Sequence, residues 1–537
     1  MDTLVVAAAT DVDTAAERAV YAGFETLRNK AAGASLDMDG FAGITAVEAE
    51  GAFATTFSNM TAAQAGAVKV MGAATTLTLG LKDGTGTADV ATVTIGDTKT
   101  DSDILTNLVA NTFETINIVS AGTKAGTDVT VEKITSDTAT NISISGSVKD
   151  GTNALFKLND TSGLAKAVTI DASDITDGAL TLGANNGVLV KGSSVVGTAL
   201  KDTVTTGAVV GTTGDFVSIN TGASDDTVKS TAAIINNTSA ANGSLKIEGG
   251  AGTDTLELTA AGAMVDASFQ YVTGFEKITN SGTNQAVDIT TGGFFNTNFA
   301  GGVEFSTNSG TANTSINATS FTGNVTAATN VAANGNTTVI TGSGGDKVTV
   351  TSAGTGTVNV ETGLGNDTVA MAASAATGTT TIDTGVGDDT ITGVVVDATI
   401  TGGTGADAIT VGAGVQTIVI GNTDSGITVA TADTITGFKA AGADKLKMGT
   451  AGDATAGTGT YVEAAAAVAD FAAALTAANT ALAALAGTSA ATELYSFQFD
   501  ATNGYLFNDT DDNGTADQVI VLVGIDNTEI DAADIIL

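Results

Sequence analysis

The sequence predicts an all-β chain wound into parallel β-solenoid or β-roll modules, ending in a short helix and a hairpin cap. Three observations carry that prediction. Six isoleucines recur every nine residues, at Ile382, Ile391, Ile400, Ile409, Ile418 and Ile427. A solenoid of nine-residue half-turns requires that interval, because each half-turn sends one apolar side chain inward. In an eighteen-residue coil, Ile382, Ile400 and Ile418 stack on one sheet while Ile391, Ile409 and Ile427 face them. Gly- and Asp-bearing turns separate these isoleucines. The chain has 537 residues, more than one compact domain needs, whereas a solenoid core grows lengthwise with each coil. Aromatics make up only 4%, so that core is thin and filled by Val, Ile, Leu and Ala.

The elements follow in order. Residues 1–75 read as a partial repeat module with short helices, one over 12–22 and a looser one over 41–68. Residues 76–335 read as β-rich solenoid-like modules, opening with Thr76-Leu77-Thr78-Leu79 and Val90-Ala91-Thr92-Val93-Thr94-Ile95, whose alternation marks strands. Residues 336–448 form the nonapeptide roll, with the tight register over 336–430. Residues 449–537 combine the helix, the hairpin and a short acidic-apolar tail. The helix is expected over 461–486, with Val468, Phe471, Leu475, Ala478, Leu482 and Leu485 on one face and Gly487 ending it. It lies on the solenoid end as a cap. The hairpin pairs 494–508 with 517–525.

A longer repeat runs through the chain. Asp254-Thr255-Leu256-Glu257-Leu258 leads to Gly274-Phe275-Glu276-Lys277-Ile278, as Asp2-Thr3-Leu4-Val5-Val6 leads to Gly23-Phe24-Glu25-Thr26-Leu27. Thr112-Phe113-Glu114-Thr115-Ile116 is a third copy of the second half. The glycine turn before Asp254 has no counterpart before Asp2. The chain is therefore expected to begin mid-motif, as the C-terminal portion of a longer protein.

Composition excludes several chemistries. With no Cys and no His, disulfides, thiolate metal sites, Ser-His-Asp and Cys-His catalysis and HExxH zinc sites are ruled out. Arginine stands only at positions 18 and 28, leaving little for bidentate anion recognition. A formal charge of −38 repels nucleic acid and anionic lipid and attracts divalent cations. No stretch qualifies as a membrane span, since the most apolar, 461–486, contains Glu463, Asp470 and Asn479. The first residues are not expected to act as a signal peptide, because Asp2, Asp11 and Asp13 lie there.

The turns themselves carry the chemistry. Gly249-Gly250-Ala251-Gly252-Thr253-Asp254-Thr255-Leu256 matches the calcium-binding nonapeptide GGxGxDxUx in full, as does Gly402-Gly403-Thr404-Gly405-Ala406-Asp407-Ala408-Ile409. Thr384-Gly385-Val386-Gly387-Asp388-Asp389 and Thr362-Gly363-Leu364-Gly365-Asn366-Asp367 depart only at the first Gly. Gly342-Ser343-Gly344-Gly345-Asp346 is similar, with Lys347 expected to place a cation beside the site, and Asp226 closes a weaker copy. Glycine permits the positive φ such corners need, and Asp supplies the hard oxygen calcium prefers. Asp389 and Asp407 are eighteen residues apart, so a regular coil stacks them ~4.8 Å apart. Two unit charges at that distance repel by about 3 kcal/mol at an effective dielectric near 20. A cation is expected there, mainly along one edge, because Ala398 and Ala408 mark corners without Asp.

A second loop, Asp509-Thr510-Asp511-Asp512-Asn513-Gly514-Thr515-Ala516-Asp517, follows the EF-hand order of oxygen ligands at Asp509, Asp511, Asn513 and Asp517, with Gly at the sixth position. Ile520 replaces the usual closing Glu, and no helices are expected to flank it. The loop reads equally as a calcium site and as a polar hairpin turn.

These nonapeptides, the Gly-Phe-Glu segments, the absence of Cys and the C-terminal ending resemble the RTX-type surface-layer proteins of Gram-negative bacteria. Asp433-Thr434-Ile435-Thr436-Gly437-Phe438 followed by Asp444-Lys445-Leu446 is similar to the segment closing many RTX rolls. The span from Leu494-Tyr495-Ser496-Phe497 to Ile535-Ile536-Leu537 resembles an uncleaved type I secretion signal. The resemblance covers most of the chain from about 215 onward. It implies several bound Ca2+ ions, export by type I machinery, an extracellular, cell-surface location, folding on calcium after export, and assembly with itself into a two-dimensional lattice. In that family a separate N-terminal region holds lipopolysaccharide. None is recognisable here, so anchoring is expected outside this chain.

The leading expectation is thus a structural S-layer protein and not an enzyme. An RTX adhesin is the alternative, although neither near-identical tandem domains nor a ligand module is visible. A β-helix polysaccharide lyase or hydrolase using Asp/Glu pairs is a third reading, disfavoured because the Asp residues sit in glycine turns. Threonine columns of one fixed phase are not evident, so a flat ice-binding face is not expected.

Overall fold

The computed structural model describes the chain except residues 1, 97–102, 123–127, 149–153, 211–214, 237–244, 283, 333, 373–374, 377, 440–442, 456–457 and 488–490. It divides into two compact units: unit 1 is Met1–Thr259 with Ala267–Lys277, and unit 2 is Ala260–Asp266 with Ile278–Leu537. Each is a parallel β-solenoid.

In unit 1 a 12-stranded sheet runs from Thr3–Val6 to Val272–Thr273. A second sheet starts at Ser35–Asp37 and includes Thr255–Leu258. Successive coils place like residues side by side: Val93 on Ile118, and Ile116 on Ile142. Residues 41–68, expected as a helix, form strands Ala46–Glu50 and Thr55–Met60, with helix only over Ala62–Ala65. Alternation decides this, because Val47, Ala49, Thr55 and Phe57 all point inward. Over 12–22, helix is confined to Ala15–Ala19. Strand stacking passes without interruption through residue 75, where Val68–Met71 pairs with Val90–Ile95.

In unit 2 a 10-stranded sheet runs from Gly262–Met264 to Ile535–Ile536. The opposing sheet includes the strands from Val303–Gly310 to Asp433–Thr436. Val339, Val360, Ile382, Ile400, Ile418 and Leu446 form one inward column. Val348, Val369, Ile391, Ile409 and Ile435 form the other. All are buried.

The ladder therefore exists, with one correction. Ile435, not Ile427, stacks on Ile409. Residues 421–432 leave the coil as a loop, and Ile427 packs against the C-terminal cluster around Leu482 and Phe507. In these two columns the eighteen-residue period holds for Ile382–Ile400, Ile400–Ile418 and Ile391–Ile409. Val339 to Val360 takes 21 residues, Val360 to Ile382 takes 22, and Ile418 to Leu446 takes 28.

Threonine columns, not expected from the sequence, line the outside of these coils. Thr381, Thr399 and Thr417 stack on the outer surface of one sheet, and Thr368 and Thr390 on that of the other.

The terminal helix is Phe471–Leu485, capped by the Asp470 carboxylate, which accepts the Ala473 N–H at 2.9 Å. The first ten residues of the expected span are not helical, and Tyr461–Glu463 is a strand parallel to Leu494–Phe499. Ala474, Ala478 and Leu482 are buried against Leu494, Tyr505, Phe507, Val519 and Val521. In place of a two-strand hairpin, residues 494–523 form a three-stranded antiparallel meander: Leu494–Phe499, Asn503–Asp509 and Gln518–Val523. A turn at 500–502 splits the first expected arm. The last strand joins the solenoid in parallel, with Ile435 on Leu522. Among the described residues no helix is long and apolar enough to cross a membrane.

Candidate metal centre

The corner aspartates of unit 2 form one continuous column. A carboxylate oxygen of each accepts the backbone N–H of the aspartate one coil earlier. Asp346 donates to Asp367 at 2.7 Å, Asp367 to Asp389 at 2.7 Å, Asp389 to Asp407 at 2.9 Å and Asp407 to Asp433 at 3.0 Å. Val325 N–H starts the column on Asp346 at 2.7 Å. Unit 1 holds a shorter copy, in which Asp202 N–H donates to Asp226 at 2.7 Å and Asp226 N–H to Asp254 at 2.8 Å.

Every carboxylate in these columns is at most 2% exposed. In Asp226, Asp254, Asp346, Asp367, Asp389 and Asp407, the second oxygen, Oδ2, is buried without a hydrogen-bond partner of good geometry. A threonine hydroxyl neighbours several of them and helps to hold their pKa down, but its better-placed acceptor is a backbone carbonyl of the next coil. Thr341 donates to Thr362 O at 2.8 Å, Thr362 to Thr384 O at 3.1 Å and Thr384 to Gly402 O at 2.9 Å. These threonines occupy the first position of the nonapeptide. Thr362 and Thr384 in place of Gly are thus not motif decay but a hydrogen-bonded column parallel to the aspartates.

Burial, reinforced by neighbouring carboxylates, pushes the column's acids upward. Asp367 rises to about 6, Asp226 and Asp407 to about 7 and Asp433 to about 8. Asp254, Asp346 and Asp389 move in the same direction, chiefly through burial. Asp202 rises to about 6 through burial alone, opposed by the hydrogen bonds it accepts.

The predicted glycines position this column. Gly250, Gly252, Gly344, Gly363, Gly365, Gly385, Gly387, Gly403 and Gly405 all have positive φ. Close approach adds a second requirement, because a Cβ on Gly365 would collide with Gly344 O and one on Gly403 with Gly385 O. Their carbonyls also bind coil to coil: Gly363 O accepts from Val386 at 2.8 Å and Gly385 O from Thr404 at 2.9 Å.

Two neighbours lie differently from expectation. Lys347 is exposed while Asp346 is buried, so alternation along the strand keeps its ammonium off the column. Asp388 belongs to an outer column, accepting Ala406 N–H at 2.9 Å and donating its own N–H to Asn366 at 3.0 Å.

Asp433 closes the column and Asp202 opens its counterpart; sequence reasoning assigned a site to neither. The Gly-Phe-Glu repeat also finds its meaning here. Glu25 accepts the N–H of Asp2 at 2.6 Å, Glu114 that of Asp89 at 3.0 Å, and Glu276 that of Asp254 at 2.8 Å. The glutamate takes the place a corner aspartate holds elsewhere, so Asp…Gly-Phe-Glu is one coil-to-coil contact. The recurrence of an Asp strand followed 22 to 25 residues later by Phe-Glu was the available signal.

The second loop connects two antiparallel strands, Asn503–Asp509 and Gln518–Val523. Asp509, Asp511 and Asp517 bring carboxylate oxygens within 4.8 Å of one another. Asn513 instead directs its Oδ1 to Thr515 N–H at 2.9 Å. Asp509 is fully buried and accepts N–H groups from Asp511, Asn513 and Gly514. Asp517 accepts both the N–H and the hydroxyl of Thr510.

The donor set suits a hard cation. Buried carboxylate oxygens without a well-placed donor are the groups a fold otherwise leaves unsatisfied at a cost, and Ca2+ takes such oxygens in flexible geometry. No protein-family model matches the chain, and no curated protein matches it in sequence.

Proposed function

We propose that the chain is the calcium-folded, lattice-forming part of an extracellular surface-layer protein. The observation that carries this reading is the column Asp346–Asp367–Asp389–Asp407, in which stacked, buried carboxylates keep an oxygen without a well-placed hydrogen-bond donor. Calcium held by the Oδ2 atoms of Asp346, Asp367, Asp389 and Asp407, and by those of Asp226 and Asp254, supplies the positive charge the column lacks. The chain's own residues do the rest: glycines bring the coils close enough to stack the acids, and threonines lock the adjacent backbone.

Folding is then linked to calcium by mass action. Where free calcium is low, repulsion along the column holds the chain unfolded and competent for type I export. In millimolar calcium outside the cell the corners are neutralised and the coils close. The acidic surface, without a His, Cys or arginine cluster for catalysis, supports a structural role over an enzymatic one.

The test is electron microscopy of the purified chain in millimolar calcium beside a chelator-treated control. Ordered sheets that disappear with chelator are expected. Separate particles at every protein concentration would remove the lattice role.

A further inference from the structure

We propose that the outer face of the unit 2 sheet from Val303–Gly310 to Asp433–Thr436 is the surface through which one copy of this chain meets another; this rests on the lattice reading above. Outward positions along its seven strands carry hydroxyls, methyls and amides, as at Thr326, Ala328, Thr349, Thr368, Thr390 and Thr410. The ionised side chains projecting from these strands are Glu304 and Lys347, which are opposite in sign, so the face has no net charge.

Its surroundings are acidic. The chain carries −38 overall, and unit 2 has no arginine and only the lysines Lys347, Lys439, Lys445 and Lys447. Glu361 and Asp383 stand exposed side by side on the opposing sheet, and Asp388 is exposed at the corner. Two copies approaching through those surfaces meet like charge. Through this face they do not, which is the electrostatic condition for self-association of so acidic a chain.

The dimensions agree with a lattice contact. Seven strands ~4.8 Å apart, each presenting two or three outward side chains, give a patch of about 600 Å² per copy. The roughly 1,200 Å² buried by a pair lies at the lower limit for specific association, as suits a contact repeated across a sheet. No aromatic side chain projects from these strands, so the face has no ring on which a base or similar flat ligand would stack. A second copy is therefore the occupant the surface favours.

The test compares Ala328→Glu with Thr410→Glu, combined in one full-length chain, against the equally bulky but neutral Ala328→Gln with Thr410→Gln. Both sites are exposed, and calcium-dependent circular dichroism checks that each variant folds like the parent. Sheet formation is read by electron microscopy and sedimentation in millimolar calcium. The expected result is at least a tenfold higher protein concentration for assembly in the Glu variant, with the Gln variant close to the parent. Assembly of the folded Glu variant at the parent's concentration would overturn the contact face while leaving the lattice reading standing. A parent that never assembles would remove both.

Discussion

At Asp407 two requirements meet that no single proton satisfies. One oxygen fixes the backbone of Asp389, and the other is buried with no donor. Its acid is raised to about 7 by burial and by Asp389 and other carboxylates nearby, so carrying its charge in the metal-free fold costs about 4 kcal/mol. Asparagine keeps the accepting oxygen and removes the charge. Asp389→Asn with Asp407→Asn should therefore act in opposite directions under two conditions. In chelator at neutral pH the variant should show more β-structure by circular dichroism than the unfolded parent, because the charge that opposes folding, worth roughly 2–4 kcal/mol, is gone. In a calcium titration its folding midpoint should rise about tenfold, the change that 1.4 kcal/mol of lost binding produces. An unchanged midpoint would remove calcium from this pair. Thr384→Val offers a separate check on the neighbouring column. Losing the bond to Gly402 O should cost about 1–3 kcal/mol with little effect on the calcium midpoint.

Among the elements, the corner strands act as a titrating set. An acid whose folded-state pKa lies above its unfolded value holds its proton more tightly when folded. The metal-free fold is then most stable in acid and loses stability as pH rises from about 4 to about 8, the span between an ordinary Asp and Asp433. In chelator, circular dichroism should show β-structure gained as pH falls through that range, and saturating calcium should remove this pH dependence. Glu276→Ala should leave the Asp254 N–H without its acceptor and destabilise unit 1 by about 1–3 kcal/mol, whereas Glu276→Gln should cost less. What the sequence revealed at this scale followed strict periodicity. Ile382, Ile391, Ile400, Ile409 and Ile418 announced their stacks because adjacent coils share one length. Thr381, Thr399 and Thr417 share that eighteen-residue interval and were equally legible, whereas Thr368 and Thr390, 22 residues apart, were not. Ile427 misled for a related reason: it keeps the nine-residue interval inside a loop that has left the coil. The segment 41–68 read as helix because alanine favours helices in isolation, while its inward alternation required the facing sheet to become visible. The meander hid its turn at 500–502 because both arms are equally apolar.

Over the whole molecule, stability is a sum of coil-to-coil contacts, and the −38 charge works against that sum until cations reduce it. The glycine-aspartate corners were legible as a candidate site because their chemistry repeats in the sequence. Asp433 and Asp202 were not, since neither follows a full glycine turn and only the stacking shows them in the column. The central claim, that calcium binding and folding are one event, is tested most directly by following far-UV circular dichroism of the intact chain from chelator into millimolar calcium and back. β-Structure and thermal stability should appear together in one cooperative, reversible step. The same spectrum and the same melting temperature in chelator and in calcium would contradict it.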